Sequence, residues 1–170
     1  MKKKANTHPG PDQAEVTKGN QPAKERRSAE ATLRTLIARL APKRVRLVGT
    51  IRRHLRKSLP TALEVVYEYR DFLVISFSPS PRGYEGVLGI RADPLGVRLY
   101  FNQGKALADP GKLLQGSGKQ TRWLAVESTS LLNLSTVNAL ISGAIHHSSV
   151  PFPKTGPGSL VFRTGSAKEK

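Results

Sequence analysis

The stretch Gly96-Val-Arg-Leu-Tyr-Phe-Asn-Gln-Gly104 decides the fold class, because its apolar and polar residues alternate and then stop at a glycine. Successive side chains of a strand point to opposite faces of a sheet, so this alternation predicts a strand with one buried face. The residues expected to face the core are Val97, Leu99 and Phe101. Residues 86–92 precede it across an Asp93-Pro94 turn, and Gly96 can take the positive φ that closes such a turn. We therefore predict a β-hairpin over residues 86–101.

The continuation Ala108-Asp-Pro-Gly-Lys-Leu-Leu-Gln-Gly-Ser-Gly-Lys-Gln-Thr-Arg-Trp123 contains signals for the start and the end of a helix. Asp109 is a favoured N-cap, and Pro110 suits the first helical position because its missing N–H would have no partner there. Gly116 and Gly118 would end this short helix. We expect a strand over residues 121–127 after it.

The rest of the chain predicts further strands and three longer helices. Alternating or continuously apolar runs predict strands over residues 63–69 and 72–77, and an edge strand over residues 159–163. Apolar residues at helical spacing predict amphipathic helices over residues 28–41, 42–58 and 134–145. In the second helix the apolar stripe comprises Leu47, Val48, Ile51, Leu55 and Leu59. The predicted fold class is α+β: a single domain with an antiparallel β-sheet packed on two N-terminal helices and one C-terminal helix.

We assign residues 28–163 to this domain and residues 1–27 and 164–170 to tails. Residues 1–27 are rich in Lys, Pro, Gln, Asn and Gly, and such a segment buries too little apolar area to offset the entropy of ordering. We therefore expect a disordered basic tail at the N-terminus. The chain has no cysteine, which excludes disulfides, thiolate nucleophiles and zinc sites of the cysteine type.

The chain carries no sequence signal for membrane insertion or secretion. No apolar run approaches the roughly 20 residues of a membrane-spanning helix. Residues 1–12 begin with lysines but lack the apolar segment of a signal peptide. We expect a cytoplasmic protein that does not bind membranes.

The positive charge is concentrated in the N-terminal third. Residues 1–57 hold 16 Lys or Arg and 4 Asp or Glu, within a chain of formal net charge +16. A cationic tail beside a basic helix face is typical of proteins that bind phosphate backbones. The candidate contacts on the second helix are Lys43, Arg46, Arg52, Arg53, Arg56 and Lys57. The alternative is a solvated helix face with a soluble tail.

The segment Gly116-Ser-Gly-Lys-Gln-Thr121 invites comparison with a phosphate-binding loop. A Walker A loop needs a glycine where Leu113 stands and a Ser or Thr where Gln120 stands, so both requirements fail. A different anion site, made by glycine amides with two cations, remains as a hypothesis. Its residues would be Gly116, Gly118, Lys119 and Arg122. The alternative is a simple turn between a helix and a strand.

No catalytic or metal-binding constellation stands out. Glu64 and Glu68 are the best carboxylate pair, but four strand steps of ~3.3 Å separate them by about 13 Å, too far for one metal ion. We expect both to be solvent-facing strand carboxylates. His146 and His147 point about 100° apart on a helix and fit a C-terminal cap better than a metal site. We therefore predict no catalytic residues, no metal site and no cofactor.

Five segments together carry a family resemblance in their order and spacing. They are Leu59-Pro60, Glu64-Val-Val-Tyr67, Val97-Arg-Leu-Tyr-Phe101, Leu107-Ala-Asp-Pro110 and Leu114-Gln-Gly-Ser-Gly-Lys-Gln-Thr-Arg122. Over residues 32–147 the chain resembles the YdhG-like domain family of small bacterial proteins. It departs from the family after Tyr67, where Glu68-Tyr-Arg70 replaces the usual Gly-x-Pro. The resemblance implies a single α+β domain, and some members are described as frataxin-like iron chaperones.

We expect a non-enzymatic binding or interaction module whose partner the sequence does not name. One alternative is sequence-independent nucleic-acid binding through the basic N-terminal third. The other is a frataxin-like iron chaperone or a small-ligand protein.

Overall fold

A computed structural model describes residues 22–164. It contains three α-helices and six β-strands and confirms the predicted α+β class. The helices are α1 (Ala23–Ala38), α2 (Pro42–Ser58) and α3 (Ser135–His146). The strands are β1 (Leu63–Glu68), β2 (Leu73–Ser78), β3 (Leu88–Asp93), β4 (Gly96–Phe101), β5 (Arg122–Ala125) and β6 (Ser159–Thr164).

The strands form one sheet in the order β5-β4-β3-β2-β1-β6. Neighbouring strands are antiparallel except for β6, which runs parallel to β1 at the edge. The predicted hairpin is the β3–β4 pair, and Gly96 has the expected positive φ of 148°. The predicted edge strand is β6, so the sequence placed both correctly.

One face of the sheet packs against all three helices. In register across the strands, a row of apolar side chains on this face runs through Val66, Ile75, Ile90, Leu99 and Leu124. These side chains form one buried core with the apolar stripes of the helices. The stripe predicted for α2 is buried throughout, because it packs against this face of the sheet. The molecule is therefore a two-layer sandwich with a second sheet face turned away from the helices.

Helix α1 begins at Ala23 and not at Ser28 as predicted. Pro22 precedes it, and its carbonyl accepts the first helical bond from the amide of Arg26. Residues 23–27 contain Ala, Lys, Glu and Arg, which favour helix and extend it toward the N-terminus. The helix residues 23–27 fall in the segment assigned above to the tail, whereas residues 1–21 and 165–170 lie outside the described residues.

The short helix predicted after Asp109 is absent. Both carboxylate oxygens of Asp109 accept backbone N–H groups, from Leu113 at 3.0 Å and from Leu114 at 2.8 Å. Lys112 takes a left-handed φ of 50°, which a continuous helix does not allow. The signals at Asp109 were turn signals, because the carboxylate binds amides four and five residues ahead and folds the chain back. None of the helices in residues 22–164 is long and apolar enough to cross a membrane.

Candidate nucleic-acid interface

A buried ion-pair cluster joins α1, α2 and β1. The guanidinium of Arg52 donates to both oxygens of Glu30, at 2.7 and 2.8 Å, and to both oxygens of Glu64, at 2.5 and 3.1 Å. The Arg52 side chain is 13% exposed and that of Glu64 only 4%. The expectation that Glu64 faces solvent is therefore wrong. Arg52, predicted as a nucleic-acid contact, has its guanidinium engaged by two carboxylates.

Arg56 completes this cluster from the next turn of α2. It lies 3.0 Å from Glu30 and 3.2 Å from Glu64, and half of its side chain is exposed. The hydrogen bond from Arg52, aided by the charge of Arg56, holds the pKa of Glu30 below its ordinary value. Burial alone would lower the pKa of Arg52, but its hydrogen bonds to Glu30 and Glu64 raise it well above its usual range. Glu30 and Arg52 therefore stay ionised near neutral pH, and their ion pair helps to fix how α1 and α2 sit against the sheet.

Four other cations of the two helices are exposed and line a groove. This groove, of about 860 Å³, runs between α1 and α2 and along residues 127–129. Its exposed cations are Arg34, Lys43, Arg46 and Arg53. Gly49 also lines it, and a Cβ built at Gly49 meets nothing within 4 Å, so the helix backbone is open to close approach there. Three of the predicted contacts, Lys43, Arg46 and Arg53, thus lie together.

Two further grooves continue the first one at its two ends. Toward the N-terminus of α1, a groove of about 570 Å³ shares Glu30 and Arg34 with the central one and adds Arg26 and Arg27. Toward the β3–β4 turn, a groove of about 500 Å³ shares Lys43 and Glu127 and adds two more cations. These are Arg44 and Arg98. We call this continuous surface the basic track, comprising Arg26, Arg27, Arg34, Lys43, Arg44, Arg46, Arg53 and Arg98.

The basic track carries a large excess of positive charge. Only Glu30 and Glu127 supply carboxylates to its three grooves, and Glu30 is already paired with Arg52 and Arg56. Within residues 22–164, all of its cations except Arg98 lack a salt bridge to a carboxylate. Such a surface favours a ligand with several negative charges in a row. Of the other predicted contacts, Lys57 is exposed in the last turn of α2, outside these grooves.

The contacts listed from the sequence include three of the eight track cations, because that list was confined to one face of α2. Arg34 lies on the exposed side of α1, opposite its buried stripe, and helical periodicity could have identified it. Arg44 and Arg98 gave no such signal. Arg44 donates to the carbonyl of Pro94 at 2.6 Å, a contact across 50 positions of sequence that only the folded chain creates.

The glycine loop lies at the opposite side of the sheet from β6, beside β5. Gly116 has a φ of 111°, as a tight turn requires. Arg122 donates through Nη1 to the carbonyls of Gly118, at 2.7 Å, and Thr121, at 2.8 Å. Its guanidinium therefore braces the loop, while Lys119 is exposed. This arrangement favours the structural turn, and the anion site at this loop stays a prediction.

Glu68 and His54, two further side chains of the kinds that bind metals, have partners within the protein. Glu68 lies on the helix-facing side of β1 but pairs with Arg39 at 2.7 Å. His54 Nε2 lies 2.8 Å from Asn138 Oδ1, and the amide nitrogen of Asn138 donates to two backbone carbonyls, so His54 Nε2 carries the proton. Residues 22–164 contain no group of three or more His, Asp or Glu side chains placed to hold a metal ion.

No family model, curated protein or solved structure matches this chain. The resemblance to the YdhG-like family therefore stays a prediction.

Proposed function

We propose that this protein binds nucleic acid without sequence specificity, by contacting backbone phosphates along the basic track. The observation that supports this proposal is the continuity of three grooves whose cations outnumber their carboxylates. A cytoplasmic location and a non-enzymatic binding role belong to the same proposal.

The dimensions of α2 suit a repeating anion. Its 17 residues extend about 25 Å at 1.5 Å per residue. One strand of a duplex places a phosphate about every 3.4 Å along the helix axis, so α2 spans roughly seven phosphates. Lys43, Arg46 and Arg53 recur along one side of the helix, and Arg34 faces them from α1. The open backbone at Gly49 lets a phosphate approach between them.

The arrangement supports backbone contact and not base readout. The cations come from two helices and a strand, and the three α-helices of residues 22–164 all pack on the core, so none of them projects alone as a recognition helix would. Long Arg and Lys side chains on a concave surface reach phosphates of any sequence. We therefore expect similar affinities for different sequences at one salt concentration.

Salt-titrated binding tests the proposal. Fluorescence anisotropy with a labelled duplex is measured over a range of KCl concentrations, for the full chain and for the Arg34→Gln, Arg46→Gln, Arg53→Gln triple variant. Each phosphate contact contributes about −0.9 to the slope of log K against log salt, so removing three cations should flatten the slope by up to about 2.7. Affinity at low salt should fall at least tenfold.

A matched triple variant controls for net charge. Arg70→Gln, Lys105→Gln and Lys154→Gln remove the same charge at exposed positions outside the track. We expect a much smaller loss of affinity and a slope close to that of the unaltered chain. Equal losses in the two triple variants, or no binding by the unaltered chain at low salt, would refute the proposal.

A further inference from the structure

The sheet face turned away from the helices carries aromatic and arginine side chains together. Along β1, β3, β4 and β5, the residues between the core positions point to this face. We call it the aromatic face, comprising Tyr67, Tyr69, Phe72, Arg91, Arg98, Tyr100 and Trp123. Tyr69 and Phe72 are three positions apart in the β1–β2 turn, whereas the strand register brings the two arginines and Trp123 to the same face.

Two cation–π stacks organise the aromatic face. The Phe72 ring lies between the Tyr69 ring, with centroids 4.1 Å apart, and the guanidinium of Arg91, 4.1 Å from its centroid. The guanidinium of Arg98 lies 4.5 Å from the centroid of the Trp123 ring. Asp93 holds the two arginines in place, at 3.0 Å from Arg91 and 3.8 Å from Arg98. Planar groups are therefore positioned before any ligand arrives.

A loop covers only one part of this face. Residues 79–87 cross the sheet near Ser76, where a Cβ at Gly86 would meet its hydroxyl, and Arg163 donates to the carbonyl of Pro81. Ser76 is buried there, and so is the Tyr100 hydroxyl, whose pKa burial raises well above its usual range. No helix of residues 22–164 lies over the remainder. There the Arg91 side chain is 41% exposed, and Tyr69, Phe72 and Trp123 are half-buried.

The charge of this face selects among occupants. Arg91 and Arg98 share one carboxylate, Asp93, whose side chain is only 6% exposed, so the accessible charge is positive. An apolar partner would bury two guanidinium groups that have only one carboxylate between them. A ligand with flat aromatic groups and regularly spaced negative charges would stack on the rings of this face and also pair with its arginines. Single-stranded nucleic acid has this chemistry, because unpaired bases stack on aromatic rings and guanidinium planes while phosphates pair with arginine.

We propose that the aromatic face binds single-stranded nucleic acid by stacking its bases on Phe72–Arg91 and Trp123–Arg98. Arg98 also lines the groove of the basic track near the β3–β4 turn, so one strand can pass from the track around the end of the sheet to Trp123. The proposal shares its ligand class with the proposed function but rests on a different surface. Duplexes, whose bases are already stacked, would bind the track alone.

Trp123 reports on this face directly, because it is the only tryptophan of the chain. The full chain is titrated with a thymidine oligodeoxynucleotide, with an abasic oligodeoxynucleotide of equal length and with a duplex, while tryptophan fluorescence is recorded. We expect saturable quenching by the thymidine strand and much weaker quenching by the abasic strand or the duplex, whose phosphates can reach Arg98 but which stack no base on Trp123. Equal quenching by the abasic strand, or thymidine-strand binding without quenching, would overturn the proposal.

A pair of phenylalanine variants locates the stacking. Phe72→Leu removes a ring from the aromatic face, whereas Phe162→Leu makes the same change on β6 at a position in register with Val66 on the helix-facing side. Phe72→Leu should weaken thymidine-strand binding at least fivefold and leave duplex binding unchanged, and Phe162→Leu should change neither. Circular dichroism verifies folding, and Arg91→Gln provides a second variant should Phe72→Leu fail to fold.

The outcomes separate the two proposals. Loss of duplex binding in the track triple variant, with quenching by the thymidine strand retained, supports both surfaces as independent sites. Quenching without any duplex binding by the unaltered chain refutes the track and retains the aromatic face. Quenching by anionic lipid vesicles but not by the thymidine strand identifies a membrane as the occupant and refutes base stacking.

Discussion

Arg52 and Arg53 are adjacent in sequence and should respond in opposite ways to the same substitution. Arg52→Met should destabilise the fold and leave nucleic-acid binding by the folded protein nearly unchanged. Arg53→Met should do the reverse. The difference follows from a rotation of about 100° between successive helical residues, which turns Arg52 toward Glu64 and Arg53 toward the groove.

The size of the Arg52 effect follows from its burial and its partners. Removing one member of a buried ion pair costs about 3–5 kcal/mol, because the remaining charge is left uncompensated. Arg56 still reaches both carboxylates at 3.0 and 3.2 Å, so the lower end of that range, about 3 kcal/mol, applies. For a chain of 170 residues this corresponds to a fall in Tm of roughly 6–12 °C. Arg53 donates only to the hydroxyl of Thr50 and should change stability by less than about 0.5 kcal/mol.

Urea denaturation measures the stability of the two variants, and duplex binding at several salt concentrations measures their phosphate contacts. Arg53→Met should reduce the salt slope by about 0.9, the contribution of one phosphate contact, and Arg52→Met should leave the slope unaltered. Equal stability losses in the two variants would show that the cluster does not support the fold as argued. A salt slope lowered only by Arg52→Met would show that the wrong arginine was placed in the track.

Three other perturbations follow from the described contacts. Gly49→Ala should stabilise α2 by up to about 1 kcal/mol in thermal denaturation, because the added methyl group enters open space, and destabilisation would contradict this geometry. Gly49→Glu should weaken duplex binding without loss of stability, because its carboxylate would lie in the track. Because the folded-state pKa of Glu30 lies below its ordinary 4.5, the stability it contributes is present above that pH and is lost as pH falls through the lowered value. Acid titration of Glu30→Gln should therefore show a flatter loss of stability below about pH 4.5, and an unchanged profile would count against the pairing. Asp109→Ala should lower the free energy of unfolding in urea by about 1–2 kcal/mol, because two backbone N–H groups lose their acceptor. Asp109→Asn keeps one side-chain acceptor oxygen and should lose less stability.

Local periodicity was sufficient to predict most of the elements. The spacing of Leu47, Val48, Ile51 and Leu55 identified both the extent and the buried face of α2. Alternation in residues 96–101 identified β4 and its inward side chains. These signals work because burial of one face repeats at the period of the element itself, so neighbours in sequence carry the information.

Local signals failed where a side chain had a choice of partners. Asp109 has the same sequence signature as a helix cap, yet its carboxylate accepts amides within a turn. Glu64 has the signature of an exposed strand residue on a polar-facing position, yet it lies against Arg52. In both cases the outcome depends on which donors lie nearby, and that depends on the path of the folded chain.

The sequence by itself therefore determined the α+β class, the helix and strand faces and the concentration of positive charge in the N-terminal third. Only the tertiary structure decided which arginines are available to a ligand, because α1 and β1 bring Glu30 and Glu64 to Arg52 and Arg56 but leave Arg34, Arg46 and Arg53 outside. It also created the aromatic face. Strand register brings its rings and guanidinium groups into contact across distant positions, and no periodicity within a single element encodes that contact.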